Sequence, residues 1–66
     1  MDIILYTTHC KQCRVLETKL KNKNISYTEI TDTDIMQSKG ITFAPVLEVD
    51  GVLMDFVTAN KFINNI

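Results

Sequence analysis

Cys10 and Cys13 are the only cysteines in this 66-residue chain, and two residues separate them. Both lie in the hexapeptide Thr-His-Cys-Lys-Gln-Cys, Thr8 to Cys13. Such a pair can staple a fold, hold a metal or exchange electrons. A disulfide between positions i and i+3 of a helix start is within geometric reach. It closes so small a loop that it constrains the unfolded chain little, so it makes a poor staple. A structural zinc site needs four ligands, and the pair supplies two. His9 is the only histidine and stands directly beside Cys10, and there is no second Cys/His pair. A low-coordinate soft ion such as Cu(I) needs fewer ligands and stays open as an alternative.

Redox chemistry suits the position best. A Cys-x-x-Cys between a strand and a helix, in a chain with a βαβ pattern, is a redox signature. The N-terminus of a helix offers unpaired N–H groups and about half a positive charge. Both favour a thiolate on Cys10, whose pKa is expected below its free value. Cys13, one turn later on the same face, is then the resolving thiol. Lys11 places a cation beside the nucleophile, where it favours the thiolate and attracts an anionic thiol substrate. His9 reads as an exposed loop side chain and Gln12 as a neutral spacer.

The surrounding elements must place these sulfurs. The apolar run Asp-Ile-Ile-Leu-Tyr-Thr-Thr, residues 2–8, reads as a strand buried on both faces. Tyr6, at its end, is core or rim. Cys13, Leu16 and Leu20 then recur with helical spacing, and Glu17 with Lys21 forms a favourable i,i+4 pair. The Lys-Asn-Lys-Asn string ends that helix with a left-handed asparagine cap. Residues 25–30, Ile-Ser-Tyr-Thr-Glu-Ile, read as a second strand. A short helix follows, capped by Thr31 or Asp32 and ended by Gly40, with Ile35 and Met36 as its apolar face. Asp50-Gly51 joins two Val/Leu-rich arms as a type I′ hairpin. The last segment reads as a helix with Thr58 as N-cap, a staple of Val57 and Phe62, and a buried stripe of Phe62, Ile63 and Ile66. The order is β-α-β-α-β-β-α. A right-handed crossover makes the first two strands parallel. A four-stranded mixed sheet flanked by helices on both faces follows, so the fold class is α/β.

Size and composition narrow the rest. Residues 1–66 form a single domain, which buries only about 60% of the surface of its unfolded chain. With 45% hydrophobic residues, two Gly and one Pro, the chain is not a linker. A formal net charge of -1 predicts no nucleic-acid partner and no membrane surface. Lys19, Lys21 and Lys23 read as a solvated helix C-terminus rather than a phosphate patch. The first residues lack the basic start and long apolar core of a secretory signal. No stretch approaches the length of a membrane span. A cytoplasmic monomer is therefore expected.

With these elements in place, the chain resembles the glutaredoxins and related small members of the thioredoxin fold. The resemblance rests on Tyr6-Thr7 ahead of the Cys10–Cys13 motif, on Ala44-Pro45-Val46 ahead of the hairpin, and on the element order. It covers essentially the whole chain. It implies a thioredoxin fold and a cis bond between Ala44 and Pro45 facing the cysteines. It also implies that the backbone of Ala44 pairs with an extended substrate. Cys10 would attack and Cys13 resolve. No bound cofactor is implied. The partners would be a disulfide-containing protein substrate and a source of electrons, either glutathione or a thioredoxin-reductase-type enzyme.

The chain also departs from the family. Lys11-Gln12 stands where glutaredoxins have Pro-Tyr and thioredoxins Gly-Pro; the glutaredoxin-like electron donors of ribonucleotide reductase often carry Gln at the second place. Asp55-Phe56 replaces the two glycines whose amides hold the carboxylate of glutathione, and Ala59 replaces the acidic residue that follows. An anionic Asp55 would repel that carboxylate. Phe56, a substrate-binding candidate, matches the electron-donor group, whose tryptophan signature is absent because the chain has no Trp. The leading expectation is a dithiol–disulfide oxidoreductase. The alternative is a metal-delivery module carrying Cu(I) on Cys10 and Cys13. Small heavy-metal-associated domains place the same motif similarly, but they run β-α-β-β-α-β and end on a strand.

Overall fold

A computed structural model describes residues 2–66. Strand β1 (Ile3–Tyr6) leads to helix α1 (Lys11–Asn22), strand β2 (Thr28–Ile30), helix α2 (Thr33–Ser38), strands β3 (Val46–Val49) and β4 (Val52–Met54), and helix α3 (Phe56–Asn64). The sheet order is β2-β1-β3-β4. β1 runs parallel to β2, with Leu5 opposite Glu29, and antiparallel to β3, with Leu5 opposite Leu47. The result is an α/β architecture with a mixed four-stranded sheet, in the element order read from the sequence. Residues 58–64 lie in α3, so the strand that a heavy-metal-associated order would place there is a helix.

Alternation along β1 divides its side chains between two faces. Ile3 and Leu5, with Leu47 and Val49, pack against Leu16 and Leu20 of α1 and Ala59 and Ile63 of α3. Tyr6 and Val46 face the other way, toward Met36 and Ile41. Helices thus lie on both faces, as expected.

The helix ends follow from local chemistry. Asn24 takes a left-handed φ of 56° after α1. Its N–H donates to the Lys21 carbonyl (3.0 Å), and the Ile25 N–H to that of Leu20 (3.0 Å). Gly40, at φ 76°, ends α2 in the same way, with Ile41 N–H donating to the Met36 carbonyl at 2.8 Å. Both are left-handed stops that satisfy carbonyls the helix leaves free. In each, the apolar residue after the stop folds back onto the core, Ile25 toward Leu20 and Ile41 toward Met36. At the hairpin, Asp50 and Gly51 have φ of 49° and 86°, as a type I′ turn requires.

Several local expectations are corrected. β1 and β2 are shorter than their apolar runs, because Thr7 leaves the strand and Ile25 and Tyr27 pack against the core before β2 begins. Only Met36 of the pair Ile35–Met36 is buried; Ile35 is exposed, and Ile41 takes the second core position. The cap of α3 is Asp55, not Thr58, and its Oδ1 accepts the Thr58 N–H at 2.8 Å. That earlier start leaves Val57 exposed, so the Val57–Phe62 staple does not form, and Ala59 with Ile63 makes the buried stripe while Ile66 is exposed. Lys19 donates to Asn60 and Asn64 of α3, and Lys23 to the Ile66 carbonyl. Two of the three clustered lysines thus tie α1 to the end of α3. Among the described residues, no helix is long and apolar enough to cross a membrane.

Candidate active site

The site lies where β1 runs out and α1 begins. Cys10 is the N-cap residue of α1, with extended backbone (φ -69°, ψ 175°). Its Sγ accepts the N–H of Cys13 at 3.1 Å. A sulfur here receives a free amide of the first turn, and the positive end of the helix favours charge on it. Cys10 is half-buried and Cys13 fully buried, and both are free thiols.

Several groups surround the inner sulfur. Thr8 Oγ1 lies 3.9 Å from Cys13 Sγ. Burial pushes the Cys13 thiol up, but the nearby polar groups of the Cys10 and Thr7 side chains and of the Thr8 and Cys10 backbone outweigh it. Together they bring the thiol from 9.0 down to about 7. The groups that cause this fall come from the β1–α1 loop, which wraps the buried sulfur. Two thiols in contact share their protons, so a charge on one is felt by both.

The loop has its own scaffold. The Thr7 hydroxyl is fully buried, donates to Glu17 Oε2 at 2.9 Å and accepts the His9 N–H at 3.0 Å. Arg14 Nε donates to the His9 carbonyl at 3.3 Å. His9 has a φ of 60°, unusual for a residue with a side chain. Its Nδ1 lies 3.4 Å from Glu17 Oε2 and 3.9 Å from Glu29 Oε1. His9 is therefore half-exposed, as expected, but engaged by two carboxylates from different elements.

Two grooves share Phe43 and Ala44, and one of them reaches Cys10. One, of about 350 Å³, is lined by Thr8, Cys10, Thr33, Met36, Gln37 and the segment Ile41–Ala44. The other, of about 240 Å³, is lined by Gln12, Phe43, Ala44, Pro45, Asp55, Phe56 and Val57. Phe43 and Ala44 border both, and Phe43 is 60% exposed. The peptide bond between Ala44 and Pro45 is cis, as the resemblance implies. Ala44 thus lines one groove with Cys10 and the other with Pro45 and Phe56. Lys11 lines neither: it opens α1 and lines its outer surface with Arg14 and Val15. Tyr6 is core, its hydroxyl donating to Glu48 Oε1 at 2.9 Å, with Lys39 Nζ 5.8 Å from its ring centre. Burial first, and the bond to Glu48 second, push its phenol up. A further concavity, of about 510 Å³, lies at the far end of the sheet beside Asp2, Glu48 and Asp50, away from both sulfurs.

Asp55 bears on what the second groove accepts. Its carboxylate receives the Thr58 amide, which holds its pKa below 3.8. The α3 N-terminus is thereby capped from within the chain, and the groove carries a negative charge.

The sequence reading missed Thr7, Thr8, Glu17 and Phe43. Thr7 and Thr8 directly precede the motif, so their hydroxyls were a usable signal. Glu17 was assigned only to a surface pair with Lys21, yet it lies one residue past Leu16 and its carboxylate is largely buried.

No family model, curated protein or solved structure matches the chain.

Proposed function

We propose that the protein is a dithiol–disulfide oxidoreductase of glutaredoxin-like type, with the thioredoxin fold and a cytoplasmic setting. One observation carries the reading: an accessible sulfur at a helix N-cap accepts the amide of a second, buried cysteine one turn on. The element order and the cis bond before Pro45 support it.

The reaction has two exchanges. The Cys10 thiolate attacks one sulfur of a substrate disulfide, forms a Cys10–substrate disulfide and releases the other sulfur as a thiolate, which takes up a proton. Cys13 then loses its proton and attacks Cys10 Sγ. The intramolecular disulfide forms and the second substrate sulfur leaves as a thiolate. Two electrons have passed to the substrate, and an external thiol or a flavin-dependent reductase restores the dithiol.

The loop groups that favour a Cys13 thiolate, apart from the Cys10 thiol itself, remain in place for the second exchange. Ala44, Pro45 and Phe56 line the groove where the substrate chain lies. Lys11, outside both grooves, acts on an anionic substrate through its charge alone. The capped α3 N-terminus and the Asp55 charge favour a reductase over glutathione as electron source.

A paired turnover assay tests the proposal. NADPH is supplied with glutathione and its reductase in one cuvette, and with thioredoxin reductase in the other, against a disulfide-bonded protein. Turnover in the second, lost in Cys10→Ser, is expected. No turnover in either cuvette overturns the reading.

The element order counts against the Cu(I)-carrier alternative, since α3 occupies the place of its terminal strand.

A further inference from the structure

His9, Glu17 and Glu29 are far apart in sequence and belong to three elements: the β1–α1 loop, the second turn of α1 and the middle of β2. Their ligand atoms all lie within 4.8 Å of one another. Nδ1 of His9 is 3.4 Å from one carboxylate and 3.9 Å from the other. A tetrahedral ion with bonds of about 2.0–2.1 Å spaces its ligand atoms about 3.3–3.4 Å apart. The His9–Glu17 spacing already matches that figure, and the wider spacings, all within 4.8 Å, close on it by side-chain rotation alone.

An ordinary ion pair accounts for half of this arrangement. One Nδ1 bonds one carboxylate, yet two converge on it. Among the described residues, no lysine or arginine pairs with Glu17 or Glu29, so their joint charge is met by the imidazole alone. The ligands are also held from behind. The buried Thr7 hydroxyl donates to Glu17 and accepts the His9 amide, which fixes the carboxylate and the loop carrying the imidazole. Metal ligands are commonly oriented by such outer hydrogen bonds. Half-exposed His9 and exposed Glu29 leave room for water to complete the coordination.

We propose that His9, Glu17 and Glu29 form a binding site for a divalent first-row transition-metal ion of the zinc type. One imidazole nitrogen and two carboxylate oxygens suit such an ion better than a thiolate-seeking one. The site is separate from the two sulfurs and stands whether or not they cycle. It joins the β1–α1 loop, α1 and β2 through one ion, one residue before Cys10.

The test uses the full chain with both thiols removed, Cys10→Ser with Cys13→Ser, so that zinc has no sulfur ligand. Zinc chloride is titrated in while the His9 ring and the side-chain carboxyl carbons of Glu17 and Glu29 are followed by NMR. Saturation at one ion per chain is expected, with all three side chains shifting together. Glu29→Gln, and His9→Asn chosen because asparagine tolerates positive φ, should each weaken binding about tenfold or more. Glu29 is an exposed strand residue, so its variant keeps the test open if the loop change disturbs folding. Absence of saturable binding, or unchanged affinity in Glu29→Gln, overturns the assignment.

Discussion

On one face of the sheet, Leu16 and Leu20 of α1 and Ala59 and Ile63 of α3 seal Ile3, Leu5, Leu47 and Val49. On the other, the six-residue α2 brings Met36, with Ile41 after it, against Tyr6 and Val46. The first face is covered along its length by two helices. The second is covered at one end, and the open edge of that cover becomes the groove beside Cys10. The larger core thus lies on one side of the sheet, and the groove that reaches Cys10 opens on the other. In a domain this small, thinning the cover over a site costs core that cannot be recovered elsewhere.

That division can be broken from the well-packed side. Leu16→Ala empties a fully buried position between α1 and the sheet and should cost about 3 kcal/mol in urea unfolding. That is a large share of what a domain of this size possesses. Met36→Ala, on the thin side, should cost nearer 2 kcal/mol, because the void opens onto the groove. Its larger signature is kinetic: KM for a protein disulfide should change while the reactivity of Cys10 toward a small disulfide does not. An equal loss of stability in the two variants would erase the contrast between the faces.

The junction between the faces has a pH signature. The Cys13 thiol sits at about 7 in the folded chain against 9.0 ordinarily, so between these values the unfolded chain binds more protons. Stability of the reduced protein should rise as pH goes from 7 to 9, and this added stability is lost as pH falls through 7. Melting temperatures of the reduced protein and of Cys13→Ser across that range check this, and the variant should lack the rise. A smaller effect belongs to α3. Asp55→Ala should lower the melting temperature by a few degrees and Asp55→Asn by less, since asparagine also caps. The Asp55 carboxylate is held below 3.8, so its contribution is present above that pH and fades below it.

The sequence was most informative where structure is local. The spacing of Cys13, Leu16 and Leu20, the Asp50-Gly51 turn and the left-handed stops at Asn24 and Gly40 all depend on neighbours a few residues away, and all are present. The cap of α3 was misplaced because Asp55 and Thr58 are both capping types; the choice follows from where β4 ends, at Met54, and from Ala59 fitting the core. The surroundings of His9 were beyond local reading. Glu29 arrives through the parallel register of β1 and β2, which sets it beside Leu5, and Glu17 through the bond that the buried Thr7 hydroxyl makes. The surroundings of the Cys13 thiol depend on the path of the β1–α1 loop, which no spacing rule specifies.

The central claim is that the outer sulfur attacks and the inner one resolves. Mass spectrometry of reduced Cys13→Ser, mixed with a disulfide-bonded peptide, tests it most directly. A lasting mixed disulfide at Cys10 is expected, against an intramolecular Cys10–Cys13 bridge and free peptide thiols in the unaltered protein. Failure of Cys10 to take up the peptide, or undiminished exchange in Cys10→Ser, would contradict the account.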